Sequence, residues 1–442
     1  MAALHALLAS LVLGALLLWW LLPWGGGEKG SRGEGERREG ATPRAAKRRL
    51  RSSLSRLPPR VDAIVVGSGP SGLGVAALLA KRGKAVLLLE ANEALGGGMH
   101  SWTHEGVRFD TGFHYLGEVH QKSSPLCRLL EYVAPGLEWA AMADCPHSPG
   151  VYDELHIAST TLTFRPGEQL WEKELCRVFP HEKRAIRSFL RLCKRSVAGF
   201  LPGVIWRSIR SPILRGWLKG LLLGPSRKLR EQSVEEALDP LSSDPRLKGY
   251  PTPKSPPPPP ARSPIPTLCV AGPRSYLMLG CCGVGPSEGS FASLAGVTSH
   301  FMQGGAYPRG GAQAVVDALV GTVERGGGAA CVRAGVSHVL TGEEGEVIGV
   351  QLHNGTEVKA PLVVSTIGTH LTLHTLLQAL PPEHSKAVNS AQSRLSLAHL
   401  SLTRGHLNLF ATFHGSTADL GLPRHNTWRF PQFDHDAQAA HP

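Results

Sequence analysis

The chain has 442 residues, enough for two or three domains with a sizeable core. Hydrophobic residues make up 42% and aromatics 6%, which excludes a wholly disordered or low-complexity protein. The net charge is +12, but residues 28–60 hold 11 Lys/Arg against 4 Glu and so supply +7 of it; with no recognition motif elsewhere, this distribution argues against a nucleic-acid-binding face.

Residues 1–24 carry no charged side chain, and Ala6 to Trp24 is almost wholly apolar. As a helix that stretch spans about 28 Å, close to a bilayer core. Trp19, Trp20 and Trp24 at its end suit the headgroup level. A cleaved signal peptide is the competing reading. No basic region precedes the stretch and no small-x-small site follows before Gly25, which favours a retained membrane anchor. The spacer over 25–60 carries Arg44, Lys47, Arg48, Arg49 and Arg51, so the positive-inside rule places the main body on the cytosolic side.

A dinucleotide-binding unit is expected over 61–120. Val61 to Val66 reads as a buried parallel strand. It runs into Gly67-Ser68-Gly69-Pro70-Ser71-Gly72, then a helix from Leu73 to Arg82, then a second strand, Lys84 to Leu89, ended by Glu90. Gly67 permits the turn out of the strand. Gly69 lets the backbone approach a pyrophosphate, and Gly72 lets the helix pack on the sheet. The helix start offers unpaired N–H groups and partial positive charge to phosphates. Glu90 is placed to accept hydrogen bonds from a ribose diol, which disfavours the 2′-phosphate of NADP. Just beyond it, Ala91 to His100 holds a second glycine cluster with Gly96 and Gly97. That cluster resembles the extended FAD signature of amine oxidase and carotenoid desaturase flavoproteins.

Residues 62–118 resemble, almost segment by segment, the carotenoid and retinoid oxidoreductase family of FAD flavoproteins, on its retinol saturase branch. The matching stretches are Asp62 to Gly72, Lys81 to Lys84, Leu89-Glu90, Gly96-Gly97 with His100, and Phe109 to Gly117. Gly304 to Gly311 and Val363 to Gly368 are similar to the same family. The resemblance implies an α/β fold: a Rossmann-like FAD-binding domain of the GR2/amine-oxidase type, with a β-meander and a helical substrate cap. It implies a flavoprotein of the endoplasmic reticulum membrane that adds two hydrogens across one double bond of a retinoid or other polyene lipid; NAD or NADP is a candidate electron source, and no second GxGxxG unit marks a site for it. A carotenoid isomerase or desaturase is the alternative within the same family. His114 and Tyr115, after the Asp-Thr-Gly turn, are the candidates for the substrate side of the flavin. Arg309, in its glycine loop, is a candidate for a phosphate or carbonyl contact, and Val336 is expected near the adenine.

The remainder is read in chain order. Residues 121–248 are taken as a largely helical cap. Arg187 to Leu223 mixes basic residues with Trp206, Trp217 and three leucines, which fits either a lipid-admitting surface or a cap with a basic exterior. A Pro-rich insertion over 249–290 includes Pro256 to Pro260. Over 291–442 the second half of the cofactor domain is expected, with strands at Val336–Leu340, Val347–Leu352 and Thr356–Val358, an Asn354-Gly355 hairpin turn, and a returning parallel strand at Leu362–Ser365. The eight cysteines show no CxxC or zinc-like spacing and read as free thiols with no metal role. By resemblance, the family's flavin-closing segment falls past Pro442. A truncated, inactive membrane-associated form is therefore the second functional expectation.

Overall fold

The protein is seen in a computed structural model that describes residues 58–113, 115–142, 150–241, 285–378, 380, 385, 388–393, 407–416 and 419–431. The expected anchor, most of the spacer, Pro251 to Pro266 and His114 lie outside the described residues. Among the described residues, no helix is long and apolar enough to cross a membrane.

The chain begins with β1 (Ala63–Val66), α1 (Pro70–Lys81) and β2 (Val86–Leu89). The two strands pair in parallel, Ile64 opposite Leu87, and all eight of their residues are buried. Burying a Val or Leu contributes about 1.5–3 kcal/mol each, so this short ladder is a major part of the core. Both strands start two residues later than expected. Asp62 turns its carboxylate to the Ala85 N–H (2.9 Å) and ends the apolar run there. Pro70 opens α1 three residues ahead of Leu73, because proline at a first helical position loses only an N–H that has no partner anyway. Gly83, at φ +73°, leaves α1 for β2.

Next come the hairpin β3 (Ser101–His104) and β4 (Val107–Asp110), then β5 (Leu116–Gly117), α2 (Pro125–Val133) and β6 (Trp139–Ala141). Glu105 and Gly106 both have positive φ, the two-residue turn whose twist matches its strands. The stretch expected as a helical cap contains α3 (Glu168–Val178), α4 (Lys183–Ala198), α5 (Phe200–Ser208) and α6 (Pro212–Glu231), and α7 (Phe291–Phe301), expected to belong to the second half of the cofactor domain, packs with them instead. The cap is not helical alone. β7 (Asp153–Ile157) and β8 (Thr160–Phe164) form an antiparallel pair whose inner face packs with Trp171, Phe189 and Phe291 in one core.

The second half runs β9 (Gly305–Pro308), α8 (Ala312–Arg325), β10 (Ala329–Cys331), β11 (Val336–Thr341), β12 (Val347–Leu352), β13 (Glu357–Lys359), β14 (Val363–Ser365) and β15 (Asn426–Phe430). β10, β2, β1 and β14, in that order, make a wholly parallel sheet. Its side chains alternate between two faces. Val65, Leu88 and Ala330 meet α1 and α8, whereas Ile64, Leu87, Leu89 and Cys331 meet the β11–β12–β13 meander. The result is a Rossmann-like α/β layer of helices, sheet and meander. The Asn354-Gly355 turn is formed as expected, with Gly355 at φ +83° and the Asn354 side chain accepting from the Thr356 N–H (3.0 Å). β15 joins β7 in parallel, a pairing the sequence did not suggest.

Candidate functional site

The carboxyl ends of β1 and β2 open into a cavity of about 380 Å³, a size typical of small-molecule sites. In open parallel sheets, ligands bind outside the carboxyl ends of the strands. The cavity is lined by Gly67, Ser68, Gly69, Glu90, Ala91 and Asn92 from the first half, and by Ala334 to Val336, His353, Thr366, Ile367 and Leu371 from the second.

The three turn glycines have different causes. Gly67 sits at φ +97°, and a Cβ there would lie 2.9 Å from both Ile367 Cγ2 and Thr366 Oγ1. A Cβ on Gly72 would overlap the Gly67 carbonyl oxygen, so this glycine lets α1 close on the strand end. A Cβ on Gly69 would meet nothing within 4 Å, and Gly69 has an ordinary φ of −63°. Neither protein packing nor backbone strain therefore requires glycine at 69. The residue borders the cavity at the start of α1, where the first N–H groups of the helix have no internal partners and no acidic side chain stands in the first turn. The site thus fits a phosphate held by backbone amides and the helix dipole.

Glu90 is only 6% exposed and holds this corner together. Its Oε2 accepts from the Ser68 N–H (2.9 Å) and the Ser68 hydroxyl (2.5 Å). Its Oε1 accepts from the Asn92 N–H (2.9 Å) and the Asn92 side-chain amide (2.8 Å). Burial alone would raise the carboxyl pKa, but these four donors together hold it below the ordinary glutamate value. The expected acceptor is in place, and it is already engaged. A ribose hydroxyl would have to exchange with one of these donors rather than find a bare oxygen.

Gly96 and Gly97 are joined to the same corner. The Gly96 N–H donates to the Ser68 hydroxyl (3.1 Å), and a Cβ on Gly97 would come within 3.0 Å of Gly69 Cα. Both glycines have positive φ, +118° and +54°. Val336 is buried and lines the opposite wall, at the first position of β11.

Arg309 and Tyr115 are placed elsewhere. The Arg309 side chain is 65% exposed, with Glu138 at 3.9 Å, and does not line the cavity. The polar work in its loop falls to Asp110. That carboxylate accepts from the Ala312 N–H (3.0 Å) and from the hydroxyls of Tyr307 and Ser101, fixing the start of α8. Arg108 supports the same loop by donating to the Gly310 carbonyl (2.6 Å). Tyr115, expected on a substrate face, is 3% exposed, packed on Phe301 (4.5 Å), and donates to Asp153 Oδ2 (2.8 Å). It is a core residue of the cap. Asp153 also receives the Asn426 amide (3.0 Å) and the Trp428 indole N–H (3.2 Å), which ties β15 to β7.

Two site residues escaped the sequence reading. Asn92 orients Glu90, and a polar residue two places past the strand-ending acid was a usable signal. Thr366 clamps the glycine turn: its N–H donates to the Val66 carbonyl (2.9 Å) and its hydroxyl to the carbonyls of Val66 (2.9 Å) and Gly67 (3.1 Å). It comes from 300 residues away, within the family-like block Val363 to Gly368, whose own sequence does not show which turn it clamps. Among the described residues no cluster of His, Cys, Asp or Glu has the arrangement of a metal site. Cys127, Cys193 and Cys331 are buried, and burial pushes the Cys331 thiol up.

Known proteins agree with this geometry. Residues 65–133 match the NAD(P)-binding Rossmann-like domain family. The chain is 30% identical over 389 residues to an all-trans-retinol 13,14-reductase of Danio rerio, covering 86% of this chain and 58% of that protein. It is 28% identical over 395 residues to the all-trans-retinol 13,14-reductase of Homo sapiens, covering 87% and 59%. A Danio rerio protein named inactive all-trans-retinol 13,14-reductase is 28% identical over 370 residues, covering 83% and 56%. The chain therefore spans a little under three fifths of the length of these curated relatives. Across most of its own length, then, this polypeptide is homologous to proteins named all-trans-retinol 13,14-reductase.

Proposed function

We propose that this chain is the cofactor-holding part of an FAD-dependent oxidoreductase that saturates a carbon–carbon double bond of a retinoid, taking all-trans-retinol to its 13,14-dihydro product. The observation that supports it most directly is the cavity at the carboxyl edge of the parallel sheet, with a buried carboxylate on its rim and a glycine whose open side faces ligand space. The adenosine diphosphate end of FAD fits there. The α1 amides and Gly69 would hold the pyrophosphate, Glu90 and Asn92 the ribose, and the apolar wall of Val336 and Leu371 the adenine. Flavin held there would supply the hydride for the double bond, with a proton completing the added pair. The residues described here orient the cofactor and keep its adenosine end dry.

The finer parts of the reading rest on the relatives and on the sequence. They are a retinoid as substrate, NAD or NADP as the source of electrons, and attachment to the endoplasmic reticulum membrane. A second reading, a chain that holds nucleotide without turnover, is favoured by the likeness to the Danio rerio protein named inactive all-trans-retinol 13,14-reductase. One titration and one spectrum test the proposal. The purified full chain should bind adenosine diphosphate by calorimetry, and a form extended to the relatives' length should carry a flavin absorbance band. No nucleotide binding by either form overturns the cofactor reading. Nucleotide binding with a colourless extended form overturns the oxidoreductase.

A further inference from the structure

The surface that stands apart from the cofactor layer is the hairpin of α5 and α6. On α5, Phe200, Leu201 and Val204 are 74%, 63% and 44% exposed. On α6, Ile213, Leu214, Trp217 and Leu221 are 77%, 51%, 87% and 49% exposed. At 3.6 residues per turn the four α6 residues fall within an arc of roughly 100°, so they form one face rather than a scatter. Single exposed apolar residues need no explanation, but seven on one hairpin do.

The hairpin is preformed. Ser211 caps α6, its hydroxyl accepting from the Leu214 N–H (3.4 Å). The Trp206 indole donates to the Arg215 carbonyl (2.9 Å), and the Arg215 guanidinium lies 5.7 Å from the Trp206 ring. Only the second half of α6 is rooted in the body, through Leu222 and Leu229. Its first ten residues are at most half-buried and extend for about 15 Å. The exposed cations Arg207 and Arg210 lie at the α5–α6 turn, and Arg215 and Lys219 occupy the polar side of α6, away from the apolar arc. No Asp or Glu occurs anywhere from Lys183 to Arg230.

We propose that this hairpin docks on an anionic lipid bilayer, with Trp217, Ile213 and Phe200 among the acyl chains and the cations at the headgroup phosphates. The charge pattern selects this occupant. A second copy of the chain would bring two acid-free basic surfaces together, whereas a bilayer offers apolar depth beneath a layer of negative charge. The proposal does not depend on flavin binding, and it stands or falls separately from the reading of the cavity.

The test must be local, because residues 6–24 are themselves apolar and can hold the chain on a vesicle. Hydrogen exchange of the full chain is measured with and without vesicles of phosphatidylcholine containing phosphatidylserine. Peptides spanning 200–221 should slow on the mixed vesicles and change far less on pure phosphatidylcholine. Ile213→Ser with Trp217→Ser alters only exposed side chains and should leave the melting temperature unchanged. It should raise the lipid concentration needed for half-protection by at least about tenfold. Arg210→Glu with Lys219→Glu should raise it about fivefold per charge on anionic vesicles only. Unchanged exchange of 200–221 on vesicles overturns the proposal. So does protection that follows protein concentration without lipid, which would mark a dimer face.

Discussion

Gly69 and Gly72, three residues apart in one turn, should respond in opposite ways to the same added methyl. At Gly72 a Cβ would overlap the Gly67 carbonyl oxygen and stand 2.8 Å from Thr366 Oγ1, so backbone must move. Overpacking of this kind costs about 1–3 kcal/mol or more, and alanine in a helix returns about 1 kcal/mol. Because the clash here is with main chain rather than a flexible side chain, Gly72→Ala should lose about 2 kcal/mol or more. At Gly69 a Cβ meets nothing and φ is ordinary. A small loss at the N-cap is offset by a stiffer unfolded chain, so stability should hold to within about 0.5 kcal/mol. The methyl would instead stand where a pyrophosphate has to approach. Gly69→Ala should therefore weaken adenosine diphosphate binding by about tenfold or more, with an unchanged melting curve. Thermal unfolding and calorimetric titration of the two variants decide the matter. If Gly69→Ala binds nucleotide as the parent does, the space beside residue 69 is not the phosphate site.

Two further outcomes follow from the buried polar groups. Glu90→Gln puts an amide among four donors and removes their charge assistance; it should cost about 2–4 kcal/mol at neutral pH. The native carboxyl lies below its ordinary value, so its contribution is present above about pH 4.3 and lost as pH falls through the lower native pKa. The gap between parent and variant should accordingly narrow in acid; a gap that stays constant from pH 7 to acid would contradict the assignment. Tyr115→Phe removes the donor to Asp153 Oδ2 and should cost about 1.5–3 kcal/mol, read by denaturant melts. In a flavin-bearing extended form its turnover per folded molecule should match the parent, and a large loss of kcat would return Tyr115 to the active site.

The β1–α1–β2 unit was legible because its signals are local: two short apolar runs, a glycine turn between them, and an acid at the second strand end. The meander was legible for the same reason, through alternation and Asn354-Gly355. The β7–β8 pair was not. Its inward positions are Asp153, Leu155 and Ile157, and a buried carboxyl at the first of them breaks the apolar alternation that marks a strand. Asp153 earns its inward place only through Tyr115, Asn426 and Trp428, partners up to 275 residues distant. Arg309 stood out in the sequence because a glycine loop with a cation looks like a phosphate contact, and it lies outside the cavity. The loop's real constraint is Asp110 gripping the start of α8, a tertiary bond with no trace in the loop's own sequence.

The central sheet also sets a timetable for synthesis. Ile64 pairs with Val363, so β1 gains its second neighbour only after about 300 further residues have been made. At ribosomal rates of about 5–20 residues per second, the wait is roughly 15–60 s. During that interval Ala63-Ile64-Val65-Val66 is an unpartnered apolar edge able to recruit any passing strand. A nascent chain of this kind calls for chaperone cover until the residues near 363 emerge, and its yield should depend on that cover more than on the final free energy of the fold.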